Sequence, residues 1–437
     1  MAKKNIRRDP LESEIEIAFS PGAFIRDRSC SQFVEGLQEV AARIDVFLTT
    51  DAARAAGLFE IFLAGYREKA EELDDSSGEF NQFSKDLICR WVKARQMSDA
   101  DAGETATTLL AWMDDDPCAF CYEIERQLAE ALNEPGLTAF ERLIRARLDA
   151  TPAIEEYDRR RWADVLRDVY VAQGNPAAYQ SLAEQIGTTP RDCLALATMF
   201  VSRSRGLALG WVERGIELER NTAIGSEAGY GLGRLRRELL VKLGRRDEAI
   251  EAAWAEYREG PSKCHFDDLM EVTPKEQRAA WQQKALDAAS GADLDSAMEL
   301  FTETRETERL ASLVSGATDL ALENVSHHIT EPAARRLDKS HPKQAARLWR
   351  AQAMRIVDAG KSKYYDAAVE NLDRARRCYL RAGLGADWEA TVREVRANHH
   401  RKTGFMPAFE RVAKGEDCRE PPSFLERAKD RWGVKRS

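Results

Sequence analysis

Cys118 and Cys121, in the run CAFC, have the spacing with which a zinc site takes two thiolates from one segment. A tetrahedral site needs two more ligands, and no second Cys pair or Cys/His pair stands at a matching spacing. On a helix the two thiols share roughly one face, so packing is the simpler role. A thioredoxin-like role fails because no strand precedes the motif. The six histidines, His265, His327, His328, His341, His399 and His400, form no HExxH pattern. AGKSK at 359–363 lacks the first glycine of a phosphate loop, because Arg355 stands there, and it follows a helical run. GYGLG, from Gly229 to Gly233, lacks the dinucleotide-binding spacing and reads as a flexible joint or a close helix contact. No GxSxG occurs. The chain is therefore expected to be no enzyme, with no catalytic, cofactor-binding or metal-binding residue.

A band of cations is the one arrangement that suggests recognition. Arg374, Arg377 and Arg381 fall at steps of three and four on one helix, and Arg393, Arg396, Arg401 and Lys402 follow on the next. With His399 and His400 they are the candidates for contact with an anion or a partner. Aromatic interleaving is thin, mostly Tyr379 and Trp388, so a solvated face competes with this role. His399 and His400 also suit a helix C-terminus, where cations meet the negative end of the dipole.

The elements that position these residues read as helices almost throughout. Phe33, Leu37, Val40, Ile44 and Phe47 form one stripe, and Asp51 opens the next helix, through Phe59, Phe62 and Tyr66. Phe83, Leu87 and Trp91 repeat at four-residue steps. In the last third, Ala368, Leu372, Ala375, Tyr379 and Leu380 make an apolar face whose small residues admit a close neighbour. Joints recur at Gly174-Asn175-Pro176, Thr188-Thr189-Pro190, Gly244 and Gly260-Pro261. The unit from Leu240 to Pro261 resembles the second half of a tetratricopeptide repeat, with Gly244 at the turn, Ala249, Trp254 and a closing Pro261. Strand patterns are nearly absent, apart from a short alternation at Ile15 to Phe19 that suits an edge strand or an extended arm.

These patterns predict an all-α fold, an irregular α-solenoid of stacked antiparallel helix pairs of tetratricopeptide-like kind. Residues 1–28 would be an extended arm, 29–155 an N-terminal helical domain and 156–330 a central repeat region. A basic repeat region at 331–415 and a tail at 416–437 would follow.

Composition fits that reading. With 437 residues the chain exceeds the size of one compact core. A mean hydropathy of −0.50 and 32% charged residues indicate a soluble protein, and no apolar run is long enough to cross a bilayer. The basic start MAKKNIRRDPLESE lacks the apolar stretch of a secretory signal, and eight mostly isolated cysteines suit reduced, buried thiols. A cytoplasmic location follows as an expectation. The net charge of −9 is unevenly spread. From Glu331 to Ser437, 25 Lys and Arg face 15 Asp and Glu; the preceding 330 residues carry 40 against 59.

The segment from Tyr364 to Met406, above all YYDAAVENLDRARRCYLRAG, Trp388 and HHRKTGFMP, resembles the C-terminal signature of bacterial SWIM zinc-finger proteins. It is similar as well to a related stand-alone helical-repeat family of unknown function, whose opening resembles FIRDRSCSQFVEGLQEVAARIDVFL. The CxC and CxH pairs of the finger itself are missing, so its zinc site is not implied. The expected function is a non-catalytic scaffold holding a protein partner. The alternative is a nucleic-acid accessory protein that uses the basic C-terminal helices.

Overall fold

The computed structural model describes residues 9–20, 22–114, 124–150, 156–221 and 227–416. Among them every regular element is helical, and the strand-like pairing is limited to one isolated bridge between Ile25 and Leu73. Two compact units divide between Leu232 and Gly233, inside a helix.

The first unit, Met1–Leu232, begins with α1 (Pro10–Phe19), α2 (Cys30–Asp45), α3 (Ala52–Lys69) and α4 (Glu79–Met97). It continues through α5 (Ala102–Asp114), α6 (Glu125–Ala131), α7 (Glu134–Ala150) and α8 (Glu156–Ala172). Then come α9 (Pro176–Ile186), α10 (Pro190–Phe200), α11 (Arg205–Arg220) and the first turns of α12 (Glu227–Lys242). Neighbours in sequence pack as pairs, α3 on α4, α7 on α8 and α10 on α11, over one apolar core.

The expected extended arm is corrected here. Ile15 to Phe19 is the second half of α1, because Leu11 and Ile15 are one helical turn apart and both become buried. Asp9 accepts from the Leu11 amide at 3.0 Å and Pro10 occupies the first turn, which starts the helix without loss of a needed donor. The Phe19 ring then lies against Gly65 of α3, where a Cβ would come within 2.8 Å of it.

The second unit, Gly233–Ser437, holds the rest of α12, then α13 (Arg246–Glu259), α14 (Lys263–Val272), α15 (Arg278–Ala289), α16 (Leu294–Glu303) and α17 (Thr307–Gly316). It ends with α18 (Asp319–Asn324), α19 (His327–Leu337), α20 (Pro342–Asp358), α21 (Tyr365–Arg381), α22 (Gly385–His399) and α23 (Met406–Lys414). Helices α20 and α21 pack against each other, with Ala345, Ala346, Ala353, Ala368 and Ala375 all buried. Small side chains let the two backbones approach, as the sequence of α21 suggests. Leu380 departs from the expected face: it is 49% exposed, and Cys378 fills the core beside Tyr379.

One joint recurs. At Gly244 the chain enters the left-handed region (φ 78°), the Arg245 amide donates to the Leu240 carbonyl at 2.8 Å and the Gly244 amide to that of Val241 at 3.1 Å. This pair of bonds closes the last turn of a helix and turns the chain sharply. Gly174, Gly360, Gly383 and Gly415 make the same pair, and Asp99 and Arg305 make it without glycine. The repeated joint turns successive helices back into antiparallel pairs.

Candidate functional site

The cation band lies on α21 and α22, and carboxylates answer most of it. Arg374 is 3.7 Å from Glu370 and stacks on the Trp349 ring at 4.8 Å. Arg377 pairs with Asp373, a carboxylate only 5% exposed. Arg381 reaches Asp338 at 2.7 Å, and Asp338 also accepts from the Cys378 thiol at 3.1 Å. These donors, Arg381 first, hold the Asp338 carboxyl below its usual range. Burial pushes the Cys378 thiol up to about 11, so it is an inert core thiol. Arg396 grips Glu410 of α23 with two bonds of 2.9 and 2.7 Å, which lowers the Glu410 pKa.

The two histidines part ways. His399 is 6% exposed and its Nε2 stands 3.0 Å from Asp358 Oδ1, off the direction a hydrogen bond requires, so both ring nitrogens lack a hydrogen-bond partner. His400 contacts the Ala397 carbonyl through Nδ1 at 3.2 Å, which is the expected closure of a helix end. Arg393 and Arg401 are exposed and Lys402 half-buried, and among the described residues no carboxylate lies within ion-pairing distance of any of them. Of the nine candidates, Arg374, Arg381, Arg396 and His399 meet a neighbouring helix, Arg377 and His400 have contacts within their own helix, and Arg393, Arg401 and Lys402 remain available to solvent.

Buried arginines are the fold's main polar feature. Arg167 of α8 binds Asp192 of α10 at 2.7 Å, and Tyr179 of α9 donates to the same carboxylate at 3.1 Å. Arg237 of α12 spans Glu256 of α13 and Asp268 of α14. Arg350 of α20 reaches Glu323 of α18 at 3.2 Å and Glu394 of α22 at 2.6 Å. Burial raises the Glu256 and Glu323 pKa values, opposed by their arginines. Each arginine joins two or three helices. No group of three metal-ligating side chains is present among the described residues; CAFC lies outside them.

In the first unit the exposed side of α3 has a depression along each flank. One, of about 420 Å³, is lined by Leu63, Ala64, Ile88 and Trp112 with Glu60 and Arg67. The other, of about 480 Å³, runs along α1 past Phe19, Ile61 and Gly65, with Glu16, Glu68 and Glu72 at its rim. Ile61 and Ala64 stand exposed on the ridge between them.

Residues 163–408, more than half of the chain, match the family of unknown function DUF6880. The chain belongs to that family. No curated protein matches this DUF6880 member. Among solved structures it is similar to one described as Naa15/Naa10 bound to HypK-THB, at 14% identity and a TM-score of 0.31, over 89% of this chain and 63% of that one. The DUF6880 chain therefore spans under two thirds of that structure's length. It is also similar to a circular tandem repeat protein with novel repeat topology and enhanced subunit contact surfaces, at 12% identity and a TM-score of 0.19, over 92% and 96%.

The α3 face lies outside the DUF6880 match, and sequence reading passed over it because Gly57, Ile61 and Ala64 look like an ordinary helix side. The buried arginines were missed too, although one signal existed. Arg350 is the one charge in the run LWRAQAM, Leu348 to Met354, all of which the fold buries.

Proposed function

We propose that this DUF6880 protein is a non-catalytic scaffold of the cytoplasm that holds a protein partner on the exposed face of α3. The carrying observation is the ridge of Ile61 and Ala64 with an open depression of mixed polar and apolar lining on each flank. Open grooves with an apolar floor suit an amphipathic segment from another protein. The charges nearby select its chemistry. Glu16, Glu60, Glu68 and Glu72 outnumber Arg67 around the two depressions, while Lys69 is buried against Glu72 at 2.9 Å, so a segment bearing Lys or Arg beside a small apolar anchor fits. Arg167, Glu256 and Glu323, whose pKa values are shifted, each sit in an ion pair between helices, which supports a structural role for them. Kinship with SWIM-associated helical repeats is part of the proposal and rests on residues Tyr364 to Met406.

The test places a photo-crosslinking amino acid at position 61 in cells, with position 171 as an exposed apolar control. A discrete crosslinked partner at 61, lost in A64R and absent at 171, supports the scaffold. Equal labelling at both positions, or capture unchanged by A64R, defeats it.

A further inference from the structure

Two segments that looked unrelated in the sequence, AGKSK after α20 and HHRKTG after α22, form one edge of the second unit. Four observations hold them together. His399 faces Asp358 at 3.0 Å, Lys402 Nζ lies 3.9 Å from the position a Cβ would take at Gly360, Gly404 backs onto the Tyr365 ring, and the Tyr365 and Phe405 rings are 5.6 Å apart. Gly360 has φ 65°, which turns Lys361 and Lys363 outward beside the second loop.

The edge is cationic in a way the helix band is not. Lys361, Lys363 and Arg401 are exposed, Lys402 is half-buried, and among the described residues none of the four has a carboxylate within ion-pairing distance. Arg393 of α22 and His400 just after that helix are exposed as well. The facing acids are Asp358, already opposite His399, and Asp366. Two helices end here and two begin, so their dipoles offset and side-chain charge decides the potential. Tyr364, 51% exposed, stands among the lysines, with Lys363 Nζ 5.8 Å from its ring.

We propose that this edge binds single-stranded nucleic acid, with Lys361, Lys363, Arg401 and Lys402 on successive phosphates and Tyr364 stacking on a base. Cations on two adjoining loops can follow a phosphodiester backbone, and a solvent-facing ring offers what a single strand has and a duplex hides. An acidic peptide would use the lysines but gain little from Tyr364. The inference is independent of the α3 face, which lies in the other unit.

The experiment is anisotropy of a labelled oligo-dT with the full-length chain at about 50 mM and about 200 mM salt. Four phosphate contacts to a single strand predict an affinity loss of roughly 50-fold between those conditions. K361E/K363E/R401E/K402E is expected to abolish binding and Y364A to weaken it several-fold, whereas R374Q/R377Q binds as wild type; circular dichroism checks that each is folded. No binding at low salt overturns the proposal. So does full binding by the quadruple variant, which would place the contact elsewhere, or displacement by poly-glutamate as effective as by unlabelled oligo-dT, which would make the edge an acidic-peptide site.

Discussion

Arg350 Nη2 lies 2.6 Å from Glu394 Oε2, so a guanidinium only 7% exposed in α20 ties α22 to the helix beneath it. Its Nη1 holds Glu323 of α18 at 3.2 Å. Removing the cation leaves Glu323, already raised in pKa by burial, without its charge partner. R350A is therefore expected to cost about 3–5 kcal/mol in urea unfolding, because an uncompensated buried charge costs more than a deleted pair. R350M/E323Q should recover part of that loss. If R350A alone costs under about 1 kcal/mol, the pair is not what joins these helices.

Arg305 adopts φ 64° in the joint between α16 and α17, the position glycine takes at Gly244 and Gly360. A side chain there crowds its own backbone, and glycine does not. R305G should stabilise the second unit by about 0.5–1 kcal/mol, after the entropy cost of a glycine in the unfolded chain is counted. Thermal unfolding of R305G beside G244A shows the sign: the first midpoint rises and the second falls.

Two glycines on α11 should respond in opposite directions. A Cβ at Gly215 would stand 2.8 Å from both Cys193 Cβ and a Leu232 methyl, so G215A overpacks the contact with α10 and should cost about 1–3 kcal/mol. Nothing lies within 4 Å of a Cβ at Gly210, and G210A should gain about 0.5–1 kcal/mol from helix propensity. Equal effects of the two changes would mean that α10 and α11 are not in close contact.

How legible was this in the sequence? Helix stripes were plain wherever one face is apolar, as with Ala368, Leu372 and Ala375, because period and burial share a cause. Residues 15–19 misled because a run of five samples too little of a helical period, and the deciding partner, Phe19 against Gly65, is distant in the chain. The cation band shows a deeper limit. Spacing placed Arg374, Arg377, Arg381 and Arg396 correctly along their helices, but whether a cation is free depends on a carboxylate such as Asp338 or Glu410, and only the fold brings those close.

The Asp338–Arg381 contact makes stability depend on pH in a direction that can be checked. The folded carboxyl titrates below its usual 3.8, chiefly through the hydrogen bond from Arg381. A lowered folded pKa contributes stability that is complete above the unfolded value and is lost as pH falls through the folded one. Glu323 and Glu256 act with the opposite sign, because burial raises them: folding favours their protonated forms, and that contribution fades as pH rises past 4.5. The raw pH profile of the wild type mixes both, so the comparison must be with D338N. D338N should unfold at lower urea than wild type near about pH 6, and the gap should narrow as pH falls below 3.8 and Asp338 takes up its proton. A gap that stays constant over that range would mean that shape at position 338, and not its charge, supports α19 against α21.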